Sequence, residues 1–214
     1  MADTLTSGAS AGTAHAVCIF LHGRGQSAAQ MQEDVIARLT SPEVHFLLPQ
    51  SPGPAWYDAK AVDPMTEATA AQLDAALSLV EAAVASASEA VPGRPLIIAG
   101  FSQGACLATE YLLRGGKADA AVLLTGCRVG ASDADLLETP LNSIPIYVSN
   151  GDDDPWVPLW AWRKAEAALR RQSARTRSEV FPGRGHLVSD SEIHAFSNLL
   201  NAVAKGGPLP EYAI

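Results

Sequence analysis

The chain has 214 residues, of which 48% are hydrophobic, and a formal net charge of −8 at pH 7. This length suits one domain with a buried core. The acidic balance, without a long basic run, argues against nucleic acid as a partner and favours a small, neutral or weakly polar molecule. Cys18, Cys106 and Cys127 lack paired spacing, so the sequence indicates neither a disulfide framework nor a zinc site, and we expect small buried side chains.

The first residues, "MADTLTSGASAGTAH", are rich in alanine, serine and glycine. We predict a flexible N-terminal tail over residues 1–13 and a single folded domain over residues 14–214. The start of the chain has no basic segment followed by an apolar core, and no later stretch reaches the apolar length that crosses a bilayer. The sequence therefore predicts a cytoplasmic protein with no stable membrane association.

Strand and helix patterns alternate along the rest of the chain. Short apolar runs predict strands at "HAVCIFLH", "VHFLLP", "PLIIAG", "AAVLLTG", "IPIYVSNG" and "RSEVFPG". Most of these runs are continuous, which is typical of strands buried on both faces of a parallel sheet. Between the predicted strands, apolar residues recur at helical spacing. Leu73, Leu77 and Val80, for example, fall on one side of a predicted helix. We predict an α/β fold with a mostly parallel, doubly wound sheet flanked by helices, and ligands at the carboxyl ends of the strands.

The segment "GFSQG" places Ser102 between Gly100 and Gly104, where a predicted strand gives way to a predicted helix. Such a turn has room only for small flanking residues, and it holds the central residue in a strained, exposed position. This geometry suits a nucleophile better than a packed side chain. The motif is short, so a nucleophile at Ser102 also requires partner residues elsewhere in the chain.

A serine hydroxyl is a weak nucleophile, so it needs a base and an acid that orients the base. His186 follows the last predicted strand in the glycine-rich "FPGRGHLVSD", and Asp152, Asp153 and Asp154 follow the strand "IPIYVS". The order serine, acid, histidine, each after a strand, is that of the α/β-hydrolases. A metal site is the weaker interpretation, since no calcium-loop ligands surround the aspartates.

Serine hydrolysis also needs donors for the anionic oxygen of the tetrahedral intermediate. The backbone N–H after the nucleophile, that of Gln103, is one candidate. The loop in "IFLHGRGQSA" follows an early strand, and its glycines let the backbone approach a ligand, so we predict the Arg24 backbone N–H as the second donor.

Five segments resemble the phospholipase/carboxylesterase branch of the α/β-hydrolases, which includes bacterial carboxylesterases and acyl-protein thioesterases: "FLHGRGQSA", "LLPQSPGPAWYD", "IIAGFSQGACLATEYLL", "VSNGDDDPWVP" and "GRGHLVSDSEI". The resemblance covers about His15 to Ala204. It implies an α/β-hydrolase catalytic domain over residues 14–214, with Ser102 as nucleophile and His186 as base. The family pattern H-G-x-x-D-x-x-V-P, laid on residues 150–158, selects Asp154 as the acid. The resemblance implies ester hydrolysis through an acyl-enzyme without metal or organic cofactor.

Two departures from the family pattern concern the site. Asn150 replaces the usual histidine, which we expect to alter the hydrogen bonds of its loop without touching the three candidate residues. Arg24 replaces the leucine usual in the thioesterases, which puts a preference for long acyl chains in doubt.

The leading hypothesis is a serine carboxylesterase acting on small to medium esters. A lysophospholipase or acyl-protein thioesterase is the enzymatic alternative, and a non-catalytic ligand-binding protein of the same fold is the alternative from another class. No insertion is long enough for a separate lid domain, and the longest irregular stretch, Pro49 to Pro64, follows a strand. Candidate walls of the substrate pocket, with core packing as the alternative, are Trp56, Tyr57, Trp156 and Trp160. A homodimer is left open.

Overall fold

A seven-stranded sheet lies at the centre of the computed structural model, which describes residues 4–131, 140–209, 211 and 212. The strands are β1 (Thr4–Gly8), β2 (Ala16–Leu21), β3 (Val44–Pro49), β4 (Leu96–Phe101), β5 (Ala120–Leu124), β6 (Pro145–Gly151) and β7 (Arg175–Phe181). The α-helices are α1 (Ala28–Asp34), α2 (Glu67–Ala90), α3 (Gln103–Leu113), α4 (Leu159–Arg171) and α5 (Asp190–Lys205). Short 3-10 helices span Ile36–Arg38 and Val129–Ala131.

The strand order is β1-β3-β2-β4-β5-β6-β7, and all neighbouring strands are parallel except β1 and β3. Strands β2, β4 and β5 are buried at every residue, because helices cover both faces of the sheet. Apolar side chains of α1 and α5 pack on one face, and those of α2, α3 and α4 pack on the other. The predicted mostly parallel α/β sheet flanked by helices is therefore confirmed.

The N-terminal segment departs from the prediction of a flexible tail. Thr4–Gly8 form the edge strand β1, which pairs antiparallel with β3 from Thr4 against Pro49 to Gly8 against His45. Its side chains are mostly exposed, so the segment carries no hydrophobic signal, and the backbone ladder to β3 alone defines it. Residues 1–3 of the predicted tail lie outside the described residues.

Helix α2 corrects the expectation that no segment is long and apolar enough to cross a bilayer. In the described ranges α2 alone meets the length and composition of such a span. A single helix of this kind is weak evidence, since core helices have the same composition. One side of α2, with Leu73, Leu77 and Val80, is buried in the core on one face of the sheet.

The carboxyl ends of the parallel strands meet at one edge of the sheet. Ser102 follows β4, Asp154 follows β6 and His186 follows β7, so the topology places all three at this edge. The connection from β5 to β6 spans residues 125–144. Its residues 132–139 lie outside the described part of the chain.

Candidate active site

Ser102 occupies a strained turn between β4 and α3. Its φ and ψ are 54° and −120°, in a region that residues with a side chain rarely adopt. No side chain fits at the two flanking glycines. A Cβ on Gly104 would lie 2.0 Å from the Leu21 carbonyl oxygen, and a Cβ on Gly100 would lie 2.5 Å from the Gly104 carbonyl carbon. The turn therefore holds the half-buried Ser102 above the sheet edge.

His186 links Ser102 to Asp154. Its Nε2 lies 2.9 Å from Ser102 Oγ, and its Nδ1 lies 2.7 Å from Asp154 Oδ2. A carboxylate only accepts hydrogen bonds, so the neutral imidazole carries its proton on Nδ1 and donates it to Asp154. The lone pair on Nε2 is then free to accept the proton of the Ser102 hydroxyl.

The second oxygen of Asp154 is held by the backbone. Its Oδ1 accepts the N–H groups of Trp156 and Val157, each at 2.8 Å. Burial opposes ionisation of Asp154, but the hydrogen bond from His186 and those from Val157 and Trp156 outweigh it, and together they lower the pKa of this carboxyl below its usual value. Asp154 is therefore anionic at neutral pH.

Of the three adjacent aspartates, the structure brings only Asp154 to His186. Asp152 is exposed and accepts the Gly183 N–H at 2.6 Å, and Asp153 is exposed. Asn150 donates from Nδ2 to the Val157 carbonyl at 3.1 Å, so its described hydrogen bond is to the loop of the acid. Among the described residues no three His, Cys, Asp or Glu side chains form a group that could hold a metal ion.

The backbone N–H groups of Arg24 and Gln103 make no hydrogen bond within the described part of the chain. Gln103 is the first residue of α3, so its N–H belongs to the electropositive end of that helix. The Arg24 loop passes close to the serine, because a Cβ on Gly23 would lie 3.2 Å from Ser102 Cβ. Both N–H groups are therefore available to an anionic oxygen.

The side chains of Arg24 and Gln103 hold the loop after β3 in place. Gln103 accepts the Trp56 N–H at 3.0 Å and donates to the Tyr57 carbonyl at 2.7 Å. The Arg24 guanidinium donates to the carbonyls of Tyr57 and Ala59 at 2.9 and 2.5 Å. The two loops therefore form one wall beside Ser102.

A cavity of about 360 Å³ opens at Ser102 and His186. The remaining described lining residues are Arg24, Tyr57, Ala59, Lys60, Ala61, Gln103, Cys106, Trp156 and Val157. Tyr57 and Trp156 thus lie where the sequence analysis expected pocket walls.

The other two aromatic candidates are not among the described residues that line the cavity. Trp56 is buried and does not line this cavity, because its indole N–H donates to the His22 carbonyl at 2.9 Å and its ring packs 4.8 Å from the His22 ring. Trp160 is half exposed on α4 and lies outside the described lining, with the Lys164 ammonium 5.5 Å from its ring centre. Sequence alone did not distinguish these roles, since all four aromatics adjoin the site loops.

A buried charged network that was not predicted from the sequence lies next to the His186 loop. Arg184, two residues before the histidine, lies 3.2 Å from Glu192 Oε1 and 3.0 Å from Thr125 Oγ1. It also donates to the carbonyls of Gly185 and Leu187, which flank His186. Glu192 accepts further hydrogen bonds from Ser149 and Ser189, the latter in a capping box that the spacing S-x-x-E could have revealed. Arg184 is therefore placed to position the histidine loop.

Replacing Arg184 should damage both stability and turnover. We expect Arg184→Met to lower the free energy of unfolding by about 3 kcal/mol, because it leaves the Glu192 carboxylate buried without its cation. It should also lower kcat more than it raises KM, since a misplaced base affects the chemical step. Chemical denaturation and steady-state kinetics on a p-nitrophenyl ester measure the two effects. Arg170→Met, which breaks an ion pair with Glu166 on the surface of α4, is the matched control and should change neither by much.

Comparison with known proteins identifies the family of the chain. A model of the phospholipase/carboxylesterase family matches residues 8–204. The chain belongs to this family. A curated relative of this phospholipase/carboxylesterase member is acyl-protein thioesterase 1 homolog 1 of Dictyostelium discoideum, which is 26% identical over 88% of this chain and 91% of its own.

Solved structures extend the comparison. A phospholipase/carboxylesterase from Dyadobacter fermentans is 30% identical, has a TM-score of 0.83, and matches 94% of this chain and 96% of its own. Acyl-protein thioesterase 2 of Zea mays is 20% identical with a TM-score of 0.76, matching 95% of this chain and 100% of its own. At 20% identity, the similarity to the Zea mays structure shows only that the two chains share a fold. The family assignment confirms the resemblance found in the sequence motifs.

Proposed function

We propose that this member of the phospholipase/carboxylesterase family is a serine carboxylesterase that hydrolyses small to medium carboxylic esters through an acyl-enzyme. The observation that carries the proposal is the hydrogen-bonded series from Ser102 through His186 to Asp154 beside a cavity. A serine, a histidine and a carboxylate in this relation activate the hydroxyl for acyl transfer.

In the first half of the reaction Ser102 Oγ attacks the ester carbonyl carbon while His186 Nε2 takes the hydroxyl proton. Asp154 keeps the imidazole in the required tautomer and stabilises the imidazolium that forms. The N–H groups of Arg24 and Gln103 bind the oxyanion, and donors of this kind each contribute about 3 kcal/mol to transition-state stabilisation. His186 then gives its proton to the oxygen of the departing alcohol. The acyl group stays bonded to Ser102 Oγ.

In the second half a water molecule replaces the alcohol. His186 accepts a proton from the water, whose oxygen attacks the acyl carbon, and the same two N–H groups bind the second oxyanion. Collapse of this intermediate breaks the bond to Ser102 Oγ, which regains its proton from His186. The free carboxylic acid leaves and the site is restored.

A fluorophosphonate probe separates this function from the non-catalytic alternative. The probe phosphonylates only an activated serine, so stoichiometric labelling of Ser102, located by mass spectrometry, supports the serine hydrolase. A protein that binds ligands without catalysis stays unlabelled.

The name of the Dictyostelium relative favours a second candidate, an acyl-protein thioesterase or lysophospholipase using the same residues. Arg24 argues against it, since this residue is part of the lining of the cavity, where a long acyl chain would need apolar surface. Hydrolysis rates for p-nitrophenyl esters, palmitoyl-CoA and lysophosphatidylcholine distinguish the candidates. If palmitoyl-CoA and lysophosphatidylcholine are hydrolysed faster than the p-nitrophenyl esters, the carboxylesterase proposal is wrong and the second candidate takes its place.

The size of the cavity limits the acyl chain. Each methylene buried contributes about 0.8 kcal/mol, and a methylene beyond the wall contributes nothing. We expect kcat/KM for p-nitrophenyl esters to rise from acetate to butyrate or hexanoate and then to level or fall, without activation by micelles. A steady rise through palmitate would contradict this.

The same series tests the exposed aromatic of the lining. Trp156→Ala should move the optimum chain length, because Trp156 lines the cavity. Trp160→Ala, which removes a similarly exposed tryptophan outside the described lining, is the matched control and should leave the optimum in place.

A further inference from the structure

Two of the three cysteines meet beside the proposed nucleophile. Cys106 Sγ lies 3.8 Å from Cys127 Sγ and accepts the Cys127 backbone N–H at 3.2 Å. Cys106 belongs to the first turn of α3 and Cys127 follows β5, so tertiary packing brings them together. Cys18 lies within β2, fully buried in the core on the other face of the sheet.

The cavity gives Cys106 access to small molecules. Its side chain forms part of the lining that includes Ser102 and His186, although it is almost fully buried from bulk water. Hydrogen bonds from the Cys127 side chain and backbone lower the pKa of Cys106 although burial opposes them, and these contacts favour the thiolate that reacts with oxidants. Burial alone raises the pKa of Cys18, which makes that thiol inert.

We propose that Cys106 and Cys127 form a site of reversible oxidation, at which a peroxide converts the two thiols to a disulfide and thereby lowers esterase turnover. The disulfide itself follows from the thiol geometry, whereas its effect on turnover rests on the proposed function.

The chemistry balances with hydrogen peroxide as the oxidant. The Cys106 thiolate attacks one peroxide oxygen, the O–O bond breaks, and hydroxide leaves, which gives a sulfenic acid on Cys106. The Cys127 sulfur attacks the Cys106 sulfur, forming the S–S bond and breaking the S–O bond. The departing hydroxide takes the Cys127 proton as water. In total the two thiols lose two protons and two electrons, and one peroxide becomes two waters.

Closing this bond disturbs the nucleophile. The sulfurs must approach by about 1.8 Å to reach disulfide length. The backbone beside Cys127 packs tightly on the first turn of α3, because a Cβ on Gly126 would lie only 2.6 Å from Ala105 Cβ. Closing the bond therefore also moves the first turn of α3, where the Cys106 N–H donates to the Ser102 carbonyl at 2.9 Å. Misplacing catalytic groups by about 1 Å costs roughly a factor of 10² in rate.

The test treats the full chain with hydrogen peroxide and measures intact mass, disulfide peptides and kcat. We expect a loss of about 2 Da, a Cys106–Cys127 peptide, and a fall in kcat of about 10- to 100-fold that dithiothreitol reverses. Cys18→Ala is the matched control and should respond like the wild type. Cys127→Ala, with Cys127→Ser as a second variant if the first is unstable, should form no internal disulfide and should instead trap dimedone on Cys106.

Two results would overturn the proposal: no Cys106–Cys127 peptide after oxidation, or a disulfide that leaves kcat unchanged. Fluorophosphonate labelling of the reduced protein separates these from failure of the proposed function. If Ser102 of the reduced protein is not labelled, the proposed esterase function is wrong. The disulfide peptide is detected by mass alone, so it tests the oxidation site independently of esterase activity.

Discussion

Ser102→Ala is expected to lower kcat by about 10⁶-fold for every ester tested, because without the hydroxyl no acyl-enzyme forms. Weak activity from the oxyanion site and substrate binding remains. The fold should be unaffected, since alanine keeps the Cβ that already occupies the turn at φ 54°. Single-turnover kinetics on p-nitrophenyl butyrate measure the loss, and thermal unfolding checks the fold.

The matched control for this variant is Ser78→Ala on the exposed side of α2, a residue that is not part of the described cavity lining. It should retain wild-type kinetics. A Ser102→Ala protein that still turns over esters at a substantial fraction of the wild-type rate, or that still reacts with a fluorophosphonate, would refute the mechanism.

Asp154→Asn is expected to lower kcat by about 10⁴-fold. The N–H groups of Trp156 and Val157 both donate to Oδ1, so the amide oxygen of the asparagine should stay there and its NH₂ should face His186 Nδ1. Nδ1 then becomes an acceptor and the imidazole proton moves to Nε2. In that tautomer Nε2 cannot take the Ser102 proton.

The two neighbouring aspartates serve as controls for this variant. Asp153→Asn should be close to wild type because its side chain is exposed. Asp152→Asn should cost little in kcat, since Asp152 contacts the Gly183 N–H rather than the imidazole. Activity against pH and chemical denaturation, measured for all three variants, separate catalytic from structural losses. Equal losses of kcat in all three would mean that the acid is wrongly assigned.

Local patterns in the sequence were enough to predict the fold and the three candidate residues. Continuous apolar runs separated by helical spacing predict a buried parallel sheet, because a strand covered on both faces carries apolar side chains at successive positions. Ser102 could be predicted because its turn excludes side chains at Gly100 and Gly104, which is a requirement on adjacent residues. The family motif selected Asp154, since the aspartates differ only in their spacing to Val157 and Pro158.

Tertiary structure decided the features that depend on contacts between distant segments. The edge strand β1 forms through backbone pairing with β3, for which its side chains give no pattern. Trp56 and Trp156 adjoin the same site, yet packing against His22 buries one and the other lines the cavity. The ion pair of Arg184 with Glu192 and the contact of Cys106 with Cys127 arise where strand ends converge. No local spacing encodes them, because the register of β4 to β7 sets which side chains meet.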